Sequence, residues 1–167
     1  MKSTIPFPKT RLEDYLNYKK EISSEVNLAG IRYEVFSNDQ IRKRIQDTLK
    51  DKIAKIYSRY EQLLFGEDLH YFSNMRDLET FLREDLELKK YKIKQILRHE
   101  KEHLSKVYEL GYIIKGFGCV LLTTNKPSKI TYAIQTLVDF TQIIPYTDLL
   151  TLFSAPNKPS VIDKYHF

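Results

Sequence analysis

A chain of 167 residues and 19.9 kDa holds one domain and can bury a core without metal or disulfide staples. With 42% hydrophobic and 29% charged residues and no apolar run of about 18, it is neither a disordered tail nor an ordinary membrane-spanning protein. One cysteine, Cys119, excludes an intrachain disulfide and a multi-cysteine zinc site, and a net charge of +5 permits nucleic acid or an acidic partner without requiring either.

Residues 1–10 contain Pro6 and Pro8 and few anchors, and read as an extended arm. No apolar run follows Lys2, so no secretory signal is expected and the cytoplasm is the predicted compartment. Residues 11–37 have two readings. RLEDYLNYKKEIS fits a short helix, and AGIRYEVF has the alternation of a short strand. Asn38 or Asp39 then caps a helix running to about Leu64. Ile41, Ile45, Leu49, Ile53, Ile56, Tyr60 and Leu63 form its apolar stripe. Gly66 ends that helix, and 66–75 reads as a connection.

A second long helix is expected from about Arg76 to Leu110. Leu78, Leu82, Leu86, Ile93, Ile96, Leu97, Leu104, Val107 and Leu110 mark its buried side. The stripe blurs between Glu84 and Lys90, where a break fits, and Gly111 suits the C-terminal cap. Beyond it, IIKGFGCVLLTT and KITYAIQTLVDFTQII flank the turn signal NKPSK and read as a β-hairpin. The second arm also fits a helix, through Ile130, Ala133, Ile134, Leu137 and Val138; the strand reading is preferred. TDLLTLFS predicts a short terminal helix capped by Thr147, and 154–167 an irregular tail. The expected fold is a single α+β domain over 11–153. Two long antiparallel helices pack with a C-terminal β-hairpin and a short terminal helix.

Residues 99–103 read His99-Glu100-Lys101-Glu102-His103, the H-E-x-x-H pattern. Histidines four apart on a helix stand one turn apart on one face, so both imidazoles can reach one zinc ion. The glutamate after the first histidine then lies beside the metal, where it can polarise a bound water. With Ile96 at zero and about 100° per residue, His99, His103 and Glu100 fall near 300°, 340° and 40°. Val107, Ile93, Leu97, Leu104 and Tyr108 occupy the same arc. Lys101 and Glu102 fall on the charged arc. Two histidines and a glutamate turned toward a core need partners, because unpaired buried polar groups are costly. A metal satisfies them together; a satisfied core histidine and a glutamate paired with a lysine or tyrosine do so separately.

Over residues 93–111 the chain resembles the zincin metallopeptidases. The resemblance implies zinc bound by His99 and His103, Glu100 as the general base, and a peptide or protein substrate. The third ligand is open. Asp139 is the first choice, because a hairpin folded back on the helix returns it toward the helix's C-terminal half; Cys119 is another. Glu109 lies near 220°, on the charged arc, and is rejected.

The alternative is a non-enzymatic binding protein in which the H-E-x-x-H string is structural. Arg42, Lys43, Arg44, Lys50, Lys52, Lys55 and Arg59 outnumber Asp47 and Asp51 along 41–59. Such a helix can lie along phosphates or face a protein partner, with Tyr57 and Tyr60 as stacking groups. A solvated face balancing the acidic stretch Glu79–Glu87 accounts for the same residues.

Overall fold

A computed structural model describes residues 5–126, 130–138 and 143–153. It is an α+β fold. Helix α1 spans Leu12–Val35 and α2 spans Asp39–Tyr60, joined through Phe36–Asn38 as an antiparallel hairpin. Asn38 is the cap: its Oδ1 accepts from the backbone N–H of Gln40 and Ile41 at 2.9 and 3.2 Å. Arg42 closes the end of α1. It donates to the carbonyls of Phe36 and Tyr33, and its guanidinium lies 4.0 Å from the Tyr33 ring centre.

The short strand expected within 11–37 is instead the second half of α1. Ile22, Val26, Ala29 and Gly30 are buried at helical spacing, and that stripe outweighs the local alternation. The helix leaves Ile31 and Val35 on its exposed side. Gly30 is required where it stands. A Cβ there would lie 2.7 Å from the Ile144 carbonyl oxygen, so the absence of a side chain lets the 143–145 segment close on the helix.

Strand β1, Leu69–Phe72, lies where a plain connection was expected. Four residues are too few for alternation to show in sequence, although His70 and Phe72 do turn inward while Leu69 and Tyr71 turn out. The long helix expected over 76–110 is two: α3, Met75–Glu84, and α4, Lys90–Glu109. The break falls where the stripe blurs. Glu87 takes φ 52°, and the Leu88 N–H bonds back to Leu82 O at 3.0 Å. Gly111 caps α4 at φ 82°, with Tyr112 N–H reaching Val107 O at 3.0 Å.

The hairpin is present as β2, Ile114–Thr123, and β3, Ile130–Val138. The sheet is antiparallel in the order β1-β2-β3, with Cys119 between His70 and Ile134. Phe117, Cys119, Leu121 and Ile134 face Leu78, Phe81, Leu82 and Ile93 of α3 and α4. Val120 and Leu122 face Tyr15 at the start of α1. A third cluster joins α1 and α2 to Val107 of α4 and to the terminal helix α5, Tyr146–Phe153, through Ile22, Val26, Leu49, Leu149 and Leu152. Among the described residues, no helix is long and apolar enough to cross a membrane.

The end of the N-terminal arm is bound into the domain. Asp68, 4% exposed, accepts at Oδ2 from Lys9 N–H, Thr10 N–H and Thr10 Oγ1 at 3.0, 2.7 and 2.6 Å. Thr10 Oγ1 in turn accepts from Phe65 N–H, and Thr10 O from Thr123 N–H, each at 2.9 Å. Asp68→Ala strands several donors in a dry site, so urea unfolding should show a loss of about 3 kcal/mol. A loss under about 1 kcal/mol would mean that water replaces the carboxylate.

Candidate metal centre

The burial of α4 follows the helical wheel except at Tyr108, which falls on the apolar arc and is exposed. Ile93, Glu100 and Val107 are buried, His99 and His103 half-buried, and Lys101 exposed. Glu102, expected to face solvent, is half-buried. The inward side of the helix meets β3 and α5, and each meeting uses one residue of the motif. Glu100 is 2% exposed, and its Oε2 accepts from Thr136 Oγ1 of β3 at 2.6 Å. His103 Nδ1 stands 3.0 Å from the Leu152 carbonyl oxygen of α5. A carbonyl only accepts, so Nδ1 carries the proton, and in the neutral ring Nε2 carries the lone pair.

The His99 and His103 rings lie 5.0 Å apart between centres, at 74° to each other. That spacing suits two imidazoles converging on one ion at a metal–nitrogen distance of about 2.0–2.1 Å. Imidazole nitrogen is a donor type that zinc takes. Among the described residues, no three His, Cys, Asp or Glu side chains gather into a ligand set. Asp139 lies outside the described residues.

Cys119 is placed differently. It is fully buried among Leu78, Phe81, Leu82 and Ile134, and burial pushes its thiol up to about 12. A thiol held neutral in an apolar cluster is a poor zinc ligand. His70 belongs to β1, two strands from Thr136, and its ring packs on Phe81 at 4.7 Å.

Sequence reasoning missed Thr136 and the Leu152 carbonyl. Thr136 left a signal. It interrupts the alternate-position series Tyr132, Ile134 and Val138 with a hydroxyl, and a polar group in a core-facing register calls for a buried partner. A backbone carbonyl leaves no such mark.

The basic stretch 41–59 is partly engaged within the fold. Arg42 seals α1, Lys52 pairs with Glu25 at 3.2 Å, and Arg59 pairs with Glu21 at 2.9 Å. Lys43, Arg44, Lys50 and Lys55 are exposed, with Asp47 and Asp51 exposed among them. Tyr57 and Tyr60 pack on Tyr18 of α1 at ring-centre distances of 6.5 and 5.6 Å. Compared with family models, curated proteins and solved structures, the chain matches none.

Proposed function

We propose that α4 is the metal-binding helix of a zinc-dependent hydrolase, a small metallopeptidase-like protein acting on peptide or protein substrates. His99 and His103 hold the ion, and Glu100 is the base that takes the proton of the attacking water. Two observations carry this reading: the imidazoles stand 5.0 Å apart, and a backbone carbonyl fixes the tautomer of His103. A hydrogen bond from the distal ring nitrogen is the usual means of orienting a metal-binding histidine. Zinc, when bound, supplies a Lewis acid and an acidified water.

The remaining work belongs to the chain. Thr136 orients the Glu100 carboxylate by donating to Oε2. Leu152 holds the His103 ring against α5. Asp139, which lies outside the described residues, is the proposed third ligand on the sequence reading alone. Nothing in the fold ties the reaction to a compartment; the cytoplasm is carried over from the sequence alone.

Native protein prepared without chelator or affinity metal should contain about one zinc per chain by elemental analysis. Glu100→Gln should retain that zinc and lower peptide hydrolysis by about 10²–10⁴-fold, the usual worth of a general base. His103→Ala should lose the zinc. A metal-free native protein overturns the reading. The binding-protein alternative would then gain ground if a gel shift showed a nucleic-acid complex that weakens steeply with salt and depends on Lys43 and Arg44. The engagement of Arg42, Lys52 and Arg59 within the fold narrows the basic face open to such a partner to Lys43, Arg44, Lys50 and Lys55.

A further inference from the structure

The face of the sheet turned away from α4 borders a partly open cavity of about 250 Å³, flanked by the first turns of α1 and by the chain at Leu64–Gly66. Gln135 lines it, and the next residue, Thr136, points to the opposite face and reaches Glu100. The cavity is therefore separate from the candidate metal centre. Its walls are mostly apolar, with Tyr15, Phe65, Val120 and Leu137 prominent. Lys19 is the one charged residue among its lining residues.

Lys19 is 7% exposed. Its ammonium lies 5.8 Å from the centre of the Tyr15 ring, and among the described residues no carboxylate pairs with it. Burial lowers its amine to about 7. A buried cation without a counter-charge costs several kcal/mol, and a leucine or methionine would fill the same space at no such cost. Gln135 accepts from the Tyr15 hydroxyl at Oε1 at 3.4 Å. Apolar walls with a few convergent polar groups are the usual composition of a small-molecule site.

We propose that this cavity binds a small monocarboxylate with an apolar body, its carboxylate on Lys19 Nζ and its hydrocarbon against Tyr15, Phe65 and the sheet. One cation matches one negative charge; a phosphate would bring a second charge with nothing to meet it. The volume falls below the roughly 300 Å³ at which drug-sized pockets begin, so the ligand is of the size of phenylacetate or hexanoate.

The test uses the full chain, labelled with ¹⁵N and titrated with phenylacetate, hexanoate and phenylacetamide. Phenylacetate or hexanoate should shift the amides of Gly118, Ala133 and Gln135 saturably. Phenylacetamide, the neutral isostere, should bind at least about tenfold more weakly, the equivalent of one 1.4 kcal/mol step. Lys19→Met should weaken the carboxylate by a similar factor and leave the amide unchanged. Equal binding of acid and amide overturns the proposal, as does unchanged carboxylate affinity in the variant. So does the absence of any shift with either acid up to about 10 mM. The acid–amide comparison is made on the wild-type chain and decides the matter even if the variant fails to fold.

Discussion

Gly116→Ala should unfold this protein at markedly lower urea, with a stability loss above about 3 kcal/mol. Gly116 has φ 146°, a region that residues with a side chain rarely enter. A Cβ built there lies 2.4 Å from the Phe72 carbonyl oxygen and 2.9 Å from the Tyr71 hydroxyl oxygen. The first of these is backbone and cannot swing aside. The residue sits at a β-bulge, where the β2–β3 register passes from Ile114↔Val138 to Gly116↔Leu137. The Tyr71 hydroxyl donates to the Lys115 carbonyl beside it. An alanine must displace β1, and β1 has only four residues with which to hold its place. Gly118→Ala is the internal control. Its nearest neighbour is the Leu137 Cδ1 atom at 3.3 Å, a side-chain end that can move, so its cost should stay near 1 kcal/mol. Equal losses at the two glycines would place the strain elsewhere.

Lys19→Met should stabilise the protein near neutrality by about 2–4 kcal/mol, at one pKa unit per 1.36 kcal/mol and with partial relaxation of the site. The amine titrates at about 7 in the folded chain and at its ordinary 10.5 when unfolded. Below about pH 7 both states hold the proton, and the folded state bears the full penalty. Between about 7 and 10.5 the unfolded state binds the proton that the folded state has released, so stability rises with pH. The variant lacks that rise. Its advantage over wild type should therefore be largest near pH 6 and smaller by about pH 9, as read by urea unfolding at both. Tyr15 and Tyr18, which line the same cavity, are both pushed up by burial and stay protonated across that interval. A pH-independent difference would show that Lys19 stays charged in the folded state.

Much of the architecture is legible in the residues. The inward face of α4, the break before Lys90, the β2–β3 hairpin and the Gly111 cap follow from apolar spacing and cap chemistry. The terminal helix follows from its apolar spacing but starts at Tyr146, so Thr147, expected as its cap, lies inside it and donates to Glu34 instead. The parts that are not legible share a cause: they depend on partners distant in sequence. The alternation in AGIRYEVF mimics a strand, and only the packing of Val26, Ala29 and Gly30 against the rest of the core makes it helix. Glu21 and Glu25 are counter-charges for Arg59 and Lys52 only once α1 and α2 pack side by side, a tertiary contact that no local pattern carries. The basic stretch therefore looked more available than it is. Lys19 stands in the run Tyr18-Lys19-Lys20, which reads as an ordinary solvated face. Its burial arises because the first turns of α1 lie over the sheet. The motif histidines are legible because their spacing is local. Thr136 and Leu152, which fix Glu100 and His103 in place, lie on elements formed far along the chain.

The sheet order has an entropic consequence. β2 and β3 are neighbours in sequence as well as in space, and so are α1 and α2, so each pairing closes a short loop. β1 joins β2 only across α3 and α4, with His70 meeting Cys119. Closing the longer loop costs more chain entropy, though the cost grows only as the logarithm of length. Four residues of ladder return little against it. The edge strand must draw its holding energy from contacts other than its own pairing, chiefly His70 and Phe72 against Phe81. The integrity of the sheet's β1 edge is thus underwritten by a helix that follows it in the chain.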